Sequence, residues 1–121
     1  MVRRILDTDT FSLWARGVVD VEARLLMNPR GSIATTVITV EEQIGGRMAR
    51  LRQAKGKEET VRFYAYLTQS AEALKLLPIV SFTEGAYDHF ERLKALKLNF
   101  DANNDLRIAA IALDLGAIAV P

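Results

Sequence analysis

Four short apolar runs, set apart by longer stretches of helical periodicity, restrict the folds open to this chain. Val2 to Asp7, Ser32 to Ile38, Ile79 to Phe82 and Ala117 to Val120 read as strands. The second is rich in β-branched residues and carries no charge, as a fully buried strand does. Strands that alternate with helices imply a parallel sheet covered on both faces, an α/β fold in three layers, α/β/α. Ligands of such sheets bind outside the carboxyl ends of the strands, which directs attention to whatever follows each run.

The intervening segments are expected to be helical. Thr10 to Gly17 and Asp20 to Met27 form two short helices, the second stopped by Asn28-Pro29. Thr39 to Lys55 follows as a helix in spite of Gly45-Gly46, with Gly56 turning the chain at its end. Glu58 to Leu77 presents Val61, Tyr64, Ala65, Thr68, Ala71, Leu74 and Leu77 at amphipathic spacing, and Pro78 ends it. Thr83 caps a helix to Lys97 with a stripe of Ala86, Tyr87, Phe90, Leu93 and Leu96. Asn103 or Asn104 opens the last helix, which Gly116 closes before the final strand.

The 121 residues, 50% of them hydrophobic, are enough for one domain over 1–121 with its own core. The absence of cysteine and the single histidine, His89, exclude thiol chemistry and the usual zinc sites. Carboxylate and hydroxyl chemistry remain. Apolar stretches fall short of the ~20 residues that cross a bilayer, and Asp7 and Asp9 interrupt any secretory signal after Arg3-Arg4, so a cytoplasmic protein without membrane contact is expected.

Three acids arrive at one edge of such a sheet: Asp7 after the first strand, Glu42 in the helix after the second, and Asp105 at the start of the last helix. Gathered carboxylates repel by roughly 1 to 4 kcal/mol per pair, and a hard divalent cation removes that penalty. Each acid also has a simpler role. Asp7 or Asp9 can cap the first helix, and Asp9, nearer the helical pattern, is expected to do so and leave Asp7 free. Thr39 and Glu42 fit a reciprocal helix-start box, and Asp105 suits the positive end of its helix. Their coincidence at one edge is what favours a metal site.

The net charge of +1 does not mark a nucleic-acid binder, but Arg47, Arg50, Arg52, Lys55 and Lys57 follow one another with no acid between them. They form either a solvated helix face or a surface for phosphates or an acidic partner. Phe11 and Trp14 are expected to be core or interface, His89 a surface residue, and Met27 and Met48 packing residues. Leu13, Trp14, Val18 and Leu25 would suit homodimer contacts or a partner's docking groove.

Ile5-Leu6-Asp7-Thr8-Asp9, Thr39-Val40-Glu41-Glu42-Gln43 and Asn104-Asp105-Leu106-Arg107-Ile108-Ala109-Ala110-Ile111-Ala112 resemble, in order and spacing over nearly the whole chain, the PIN-domain ribonucleases of the VapC toxin type. The resemblance implies a PIN-like α/β/α fold with a mainly parallel sheet, and an endoribonuclease toxin neutralised by a cognate antitoxin. It implies Asp7, Glu42 and Asp105 as catalytic acids on Mg²⁺ or Mn²⁺, with Thr8, Thr39 and Asn104 flanking them, RNA as substrate and a homodimer. Water activated by the ion would attack the phosphate in line, with no protein nucleophile.

The family's usual C-terminal segment, with a fourth acid, has no counterpart before Val120-Pro121. Asp114 cannot supply it, since nine helical residues place it roughly 13 Å from Asp105 along the axis; Asp101 is the possible substitute. The expected alternative is a truncated PIN-like module that binds RNA or an antitoxin without cutting. Leu6-Asp7-Thr8-Asp9-Thr10 also suits a phosphohydrolase of the haloacid-dehalogenase type, which needs a later lysine and an acidic pair after a strand.

Overall fold

The computed structural model describes residues 1–15, 31–96 and 103–120. In chain order these form β1 (Arg4–Leu6), α1 (Thr8–Ala15), β2 (Ile33–Thr36), α2 (Val37–Arg52), α3 (Gly56–Leu74), β3 (Ile79–Val80), α4 (Glu84–Ala95), α5 (Asn103–Leu115) and β4 (Ile118–Val120). The strands make one sheet in the order β3-β2-β1-β4, every neighbouring pair parallel. The expected helix from Asp20 to Met27 lies outside the described residues, as do Val18, Leu25 and Asp101.

Consecutive residues of β1 show why there are three layers. Side chains alternate across a strand. Ile5 packs with Ile38, Ala86, Ile108, Ile111 and Ala112, whereas Leu6 packs with Phe11, Ile33, Ala73 and Leu74. The central strand is therefore buried on both faces, the condition under which parallel sheets persist. Burying a side chain such as Ile5 or Leu6 contributes about 1.5 to 3 kcal/mol, so these two faces are the main source of cohesion. A third cluster, Phe90 with Leu106 and Ala110, joins α4 to α5.

Element boundaries differ from expectation most informatively at the junction of β2 and α2. β2 stops at Thr36, which takes an extended backbone and accepts the Thr39 amide on its hydroxyl at 3.2 Å. Thr36, not Thr39, caps α2, and Glu42 lies beyond the first turn, so no reciprocal box forms between Thr39 and Glu42. The run Thr35-Thr36-Val37-Ile38 is β-branched on both sides of the junction and carries no sign of it.

Helix α3 buries only the C-terminal end of the expected stripe, where Leu74 is in the core and Leu77 packs against it. Val61 and Tyr64 are 61% and 55% exposed, and Ala65 and Thr68 are exposed as well. Ser70, Ala73 and Leu74 are buried, continuing a line from Phe63, Tyr66 and Leu67. The helix carries two apolar stripes, and α2 packs on the second through Arg47, which stands over the Tyr66 ring at 5.2 Å and donates to Ser70 Oγ at 3.2 Å. On α4, Ala86 and Phe90 are buried as expected, while Tyr87 and Leu96 are exposed. Met48, expected to pack, is exposed too.

Candidate functional site

The carboxyl edge of β1 and β2 gathers two acids and two threonines. Asp7 leaves β1 and caps α1 itself, accepting the Thr10 amide on Oδ1 at 2.8 Å. This overturns the expectation that Asp9 is the cap; Asp9 is exposed within the first turn. Capping does not remove Asp7 from a site, because it engages Oδ1 and fixes the direction of the whole carboxylate.

Thr8, the first residue of α1, donates its hydroxyl to Glu42 Oε1 at 2.6 Å. Its oxygen also lies 3.2 Å from that of Thr39, which is fully buried. A hydroxyl has one hydrogen. With that hydrogen on Glu42, Thr39 must donate to Thr8, giving a directed relay from Thr39 through Thr8 to the Glu42 carboxylate. Glu42 is thus fixed from α1, across 34 residues of sequence.

Asp105 stands exposed in the first turn of α5. That helix ends beside the start of β1, since β4 follows it directly and the Ile118 amide donates to the Arg3 carbonyl at 2.9 Å. Its opposite end, ten residues and about 15 Å away, therefore lies toward the edge that holds Asp7. Asn104 accepts from Arg107 Nη1 at 3.0 Å, and the Arg107 guanidinium stands over Phe90. Asp105 opens a helix and does not follow a strand, which removes the acidic pair that a haloacid-dehalogenase site needs.

The donors at this edge, carboxylates and hydroxyls, are the oxygen set that Mg²⁺ or Mn²⁺ takes. The spacing is less complete. Among the described residues no three acids or histidines gather closely enough to hold an ion. Thr8, which follows Asp7 in the chain, holds Glu42, and α5 carries Asp105 in its first turn without closing the group.

Beside Glu42 is an open-sided cavity of about 360 Å³ lined by Ser12, Glu42, Gln43, Gly46, Arg47 and Arg50. Gln43 Nε2 donates to Ser12 Oγ at 2.7 Å between two of its lining residues. Of the basic run, Arg47 and Arg50 line this cavity, while Arg52 and Lys55 lie at the end of α2 and the cap of α3, away from its lining. Ser12, Gln43 and Gly46 were not anticipated as site residues; the paired glycines within a helix were the available signal. Asp114, excluded as a fourth acid, accepts the Thr83 hydroxyl at 2.8 Å at the start of α4.

No protein-family model and no curated protein matches the chain. Solved structures do. VapBC2 from Rickettsia felis, bound to a DNA fragment from the promoter, aligns with a TM-score of 0.76 at 21% identity, over 100% of this chain and 86% of that one. DNA-bound VapBC from Salmonella typhimurium aligns at 0.75 and 20% identity, over 98% and 85% of the two chains. A toxin-antitoxin complex from Klebsiella pneumoniae gives 0.70 and 18%, over 98% and 84%. The fold of this chain is the one found in these toxin-antitoxin structures, in agreement with the PIN-like α/β/α arrangement implied by its motifs.

Proposed function

We propose that this chain, which has the fold of those toxin-antitoxin structures, is a metal-dependent endoribonuclease toxin that cuts RNA phosphodiester bonds and is neutralised by a cognate antitoxin. The observation that carries this reading is the Thr39-Thr8-Glu42 hydrogen-bonded chain at the carboxyl edge of the sheet, beside Asp7, whose carboxylate the Thr10 amide holds. Asp7 and Glu42 would hold Mg²⁺ or Mn²⁺, with Asp105 contributing directly or through water. When bound, such an ion neutralises charge on the scissile phosphate and acidifies a water for in-line attack.

The chain's own residues do the rest. Thr8 keeps Glu42 in place, buried Thr39 keeps Thr8 in place, and the Thr10 amide orients Asp7. The cations of α2 offset the repulsion between these acids and a polyanion. No side-chain nucleophile is required.

The deciding experiment assays single-stranded RNA with Mn²⁺, comparing the parent chain with Asp7→Asn and Asp105→Asn. Cleavage should fall at least about 100-fold in each, since even groups that only orient metal ligands are worth 10- to 100-fold. Parent-rate cutting by Asp7→Asn would exclude the assignment. A second reading, a binding module that does not cut, is favoured by the open spacing of the three acids. Calorimetric titration of Mn²⁺ separates the two: heat of binding in the parent that disappears in Asp105→Asn supports the nuclease, and no heat in the parent supports the module.

A further inference from the structure

We propose that the cavity between α1 and α2 is a subsite for a backbone phosphate of single-stranded RNA, with Arg50 as its mobile contact and Arg47 as its preset one. This deepens the nuclease reading and rests on it for the direction in which the strand runs. Arg47 and Arg50 stand five and eight residues beyond Glu42 on the same helix, about 7 and 12 Å along its axis. A strand whose reacting phosphate lies at Glu42 passes both.

Three observations support the assignment. First, neither arginine forms a salt bridge with an acid among the described residues. Second, the two are prepared differently. Arg47 is half-buried, held by Ser70 Oγ on Nε and by the Tyr66 face, so its terminal nitrogens are presented with little freedom left to lose. Arg50 is exposed at the rim. Third, Gly46 forms part of the wall, and a Cβ placed there or at Gly45 would meet no described residue within 4 Å. Glycine in a helix interior is less favourable than alanine, and nothing among the described residues requires it here. A bare wall admits a ligand close to the helix backbone.

The lining favours nucleic acid over a peptide. Peptide grooves anchor on apolar pockets, and the described residues lining this cavity are two arginines, a serine, a glutamine, Gly46 and, at the end toward the acids, Glu42, with no large apolar side chain among them. Ser12 and Gln43 add a hydroxyl and an amide to the lining.

The test measures binding of a labelled single-stranded RNA oligonucleotide to the full chain by fluorescence anisotropy, in EDTA so that cutting does not intervene, at several salt concentrations. Arg50→Gln should weaken binding roughly fivefold and lower the slope of log affinity against log salt by about 0.7, the value for one lost phosphate contact on a single strand. Gly46→Leu, which fills the cavity with a better helix former, should weaken binding while raising the melting temperature, so the loss cannot be ascribed to unfolding. Tyr66→Leu should reduce affinity and Tyr66→Phe restore it.

Unchanged affinity and slope in both Arg50→Gln and Gly46→Leu overturn the proposal, as does a parent chain that binds no RNA. Loss of binding to a polyglutamate peptide in these variants, with RNA binding intact, also overturns it and assigns the cavity to an acidic partner. The two readings fail separately. Variants that bind RNA weakly in a chain that never cuts leave the subsite standing without the nuclease, and a chain that cuts while its variants bind like the parent leaves the nuclease without the subsite.

Discussion

At the residue scale, Asp7 has two duties that substitutions can separate. Asparagine caps helices about as well as aspartate, whereas alanine costs about 1 kcal/mol. Asp7→Asn should therefore melt with the parent and Asp7→Ala a few degrees lower, although neither cuts RNA; thermal denaturation and a cleavage assay together check this. Thr8→Val removes the donor to Glu42 and should reduce cleavage about 10- to 100-fold, with recovery in Thr8→Ser. Thr35 offers a contrasting case. Its hydroxyl is fully buried in β2 and finds no hydrogen-bond partner among the described residues. An unpaired buried hydroxyl costs about 1 to 3 kcal/mol, so Thr35→Val, nearly isosteric, should raise the unfolding free energy in urea; a loss would show that the hydroxyl is satisfied in solution.

The sequence was most readable where one residue type has one strong preference and least where two roles compete. Apolar runs located all four described strands: β1 and β2 are buried as such runs predict, while the edge strands β3 and β4 keep the apolar pattern although Ile79 and Ile118 are exposed. The two acids Asp7 and Glu42 were legible as site candidates through their places just after the first strand and in the helix after the second. The cap assignments were not: Asp7 and Asp9, or Thr36 and Thr39, are equally able caps, and only the observed ends of β1 and β2 decide between them. The cavity was hidden because Ser12 and Gln43 meet across 31 residues of sequence, a pairing no local pattern encodes.

Among the elements, α2 and α4 show how glycine is retained for different reasons. Gly45 lies in open space, so Gly45→Ala should stabilise α2 by about 0.5 to 1 kcal/mol, read as a rise of a few degrees in melting temperature. Gly85, in the first turn of α4, lies against the Asp114 carboxylate, which a Cβ would displace from Thr83. Here the helix gain and the lost hydrogen bond are both about 1 kcal/mol and should nearly cancel. In an Asp114→Ala background the same substitution should become stabilising, and a double-mutant cycle in urea measures the difference. The partly misjudged face of α3 belongs to this scale as well: Val61, Tyr64, Ala65 and Thr68 are exposed, whereas Leu74 and Leu77 pack inside as expected. Two stripes of similar apolar content were available, and the partner, Arg47 of α2, selected one.

For the molecule as a whole, the parallel sheet explains why distant residues meet. Each return to the sheet brings the next carboxyl end to the same side, so β1 and β2 deliver Asp7 and α2 to one edge, and α5 begins toward it. Chelation should consequently abolish cutting without unfolding, since the two cores packed against β1 involve none of the three acids. Circular dichroism unchanged by EDTA, with cleavage lost, is the expected outcome.

The amide of Thr10, bonded to Asp7, gives the molecule an intrinsic reporter. Any event that draws electron density from that carboxylate will move the Thr10 nitrogen and proton resonances before a slower global change is visible. A heteronuclear spectrum recorded during Mg²⁺ addition can thus follow occupancy at one peak, in a protein whose activity need not be switched on.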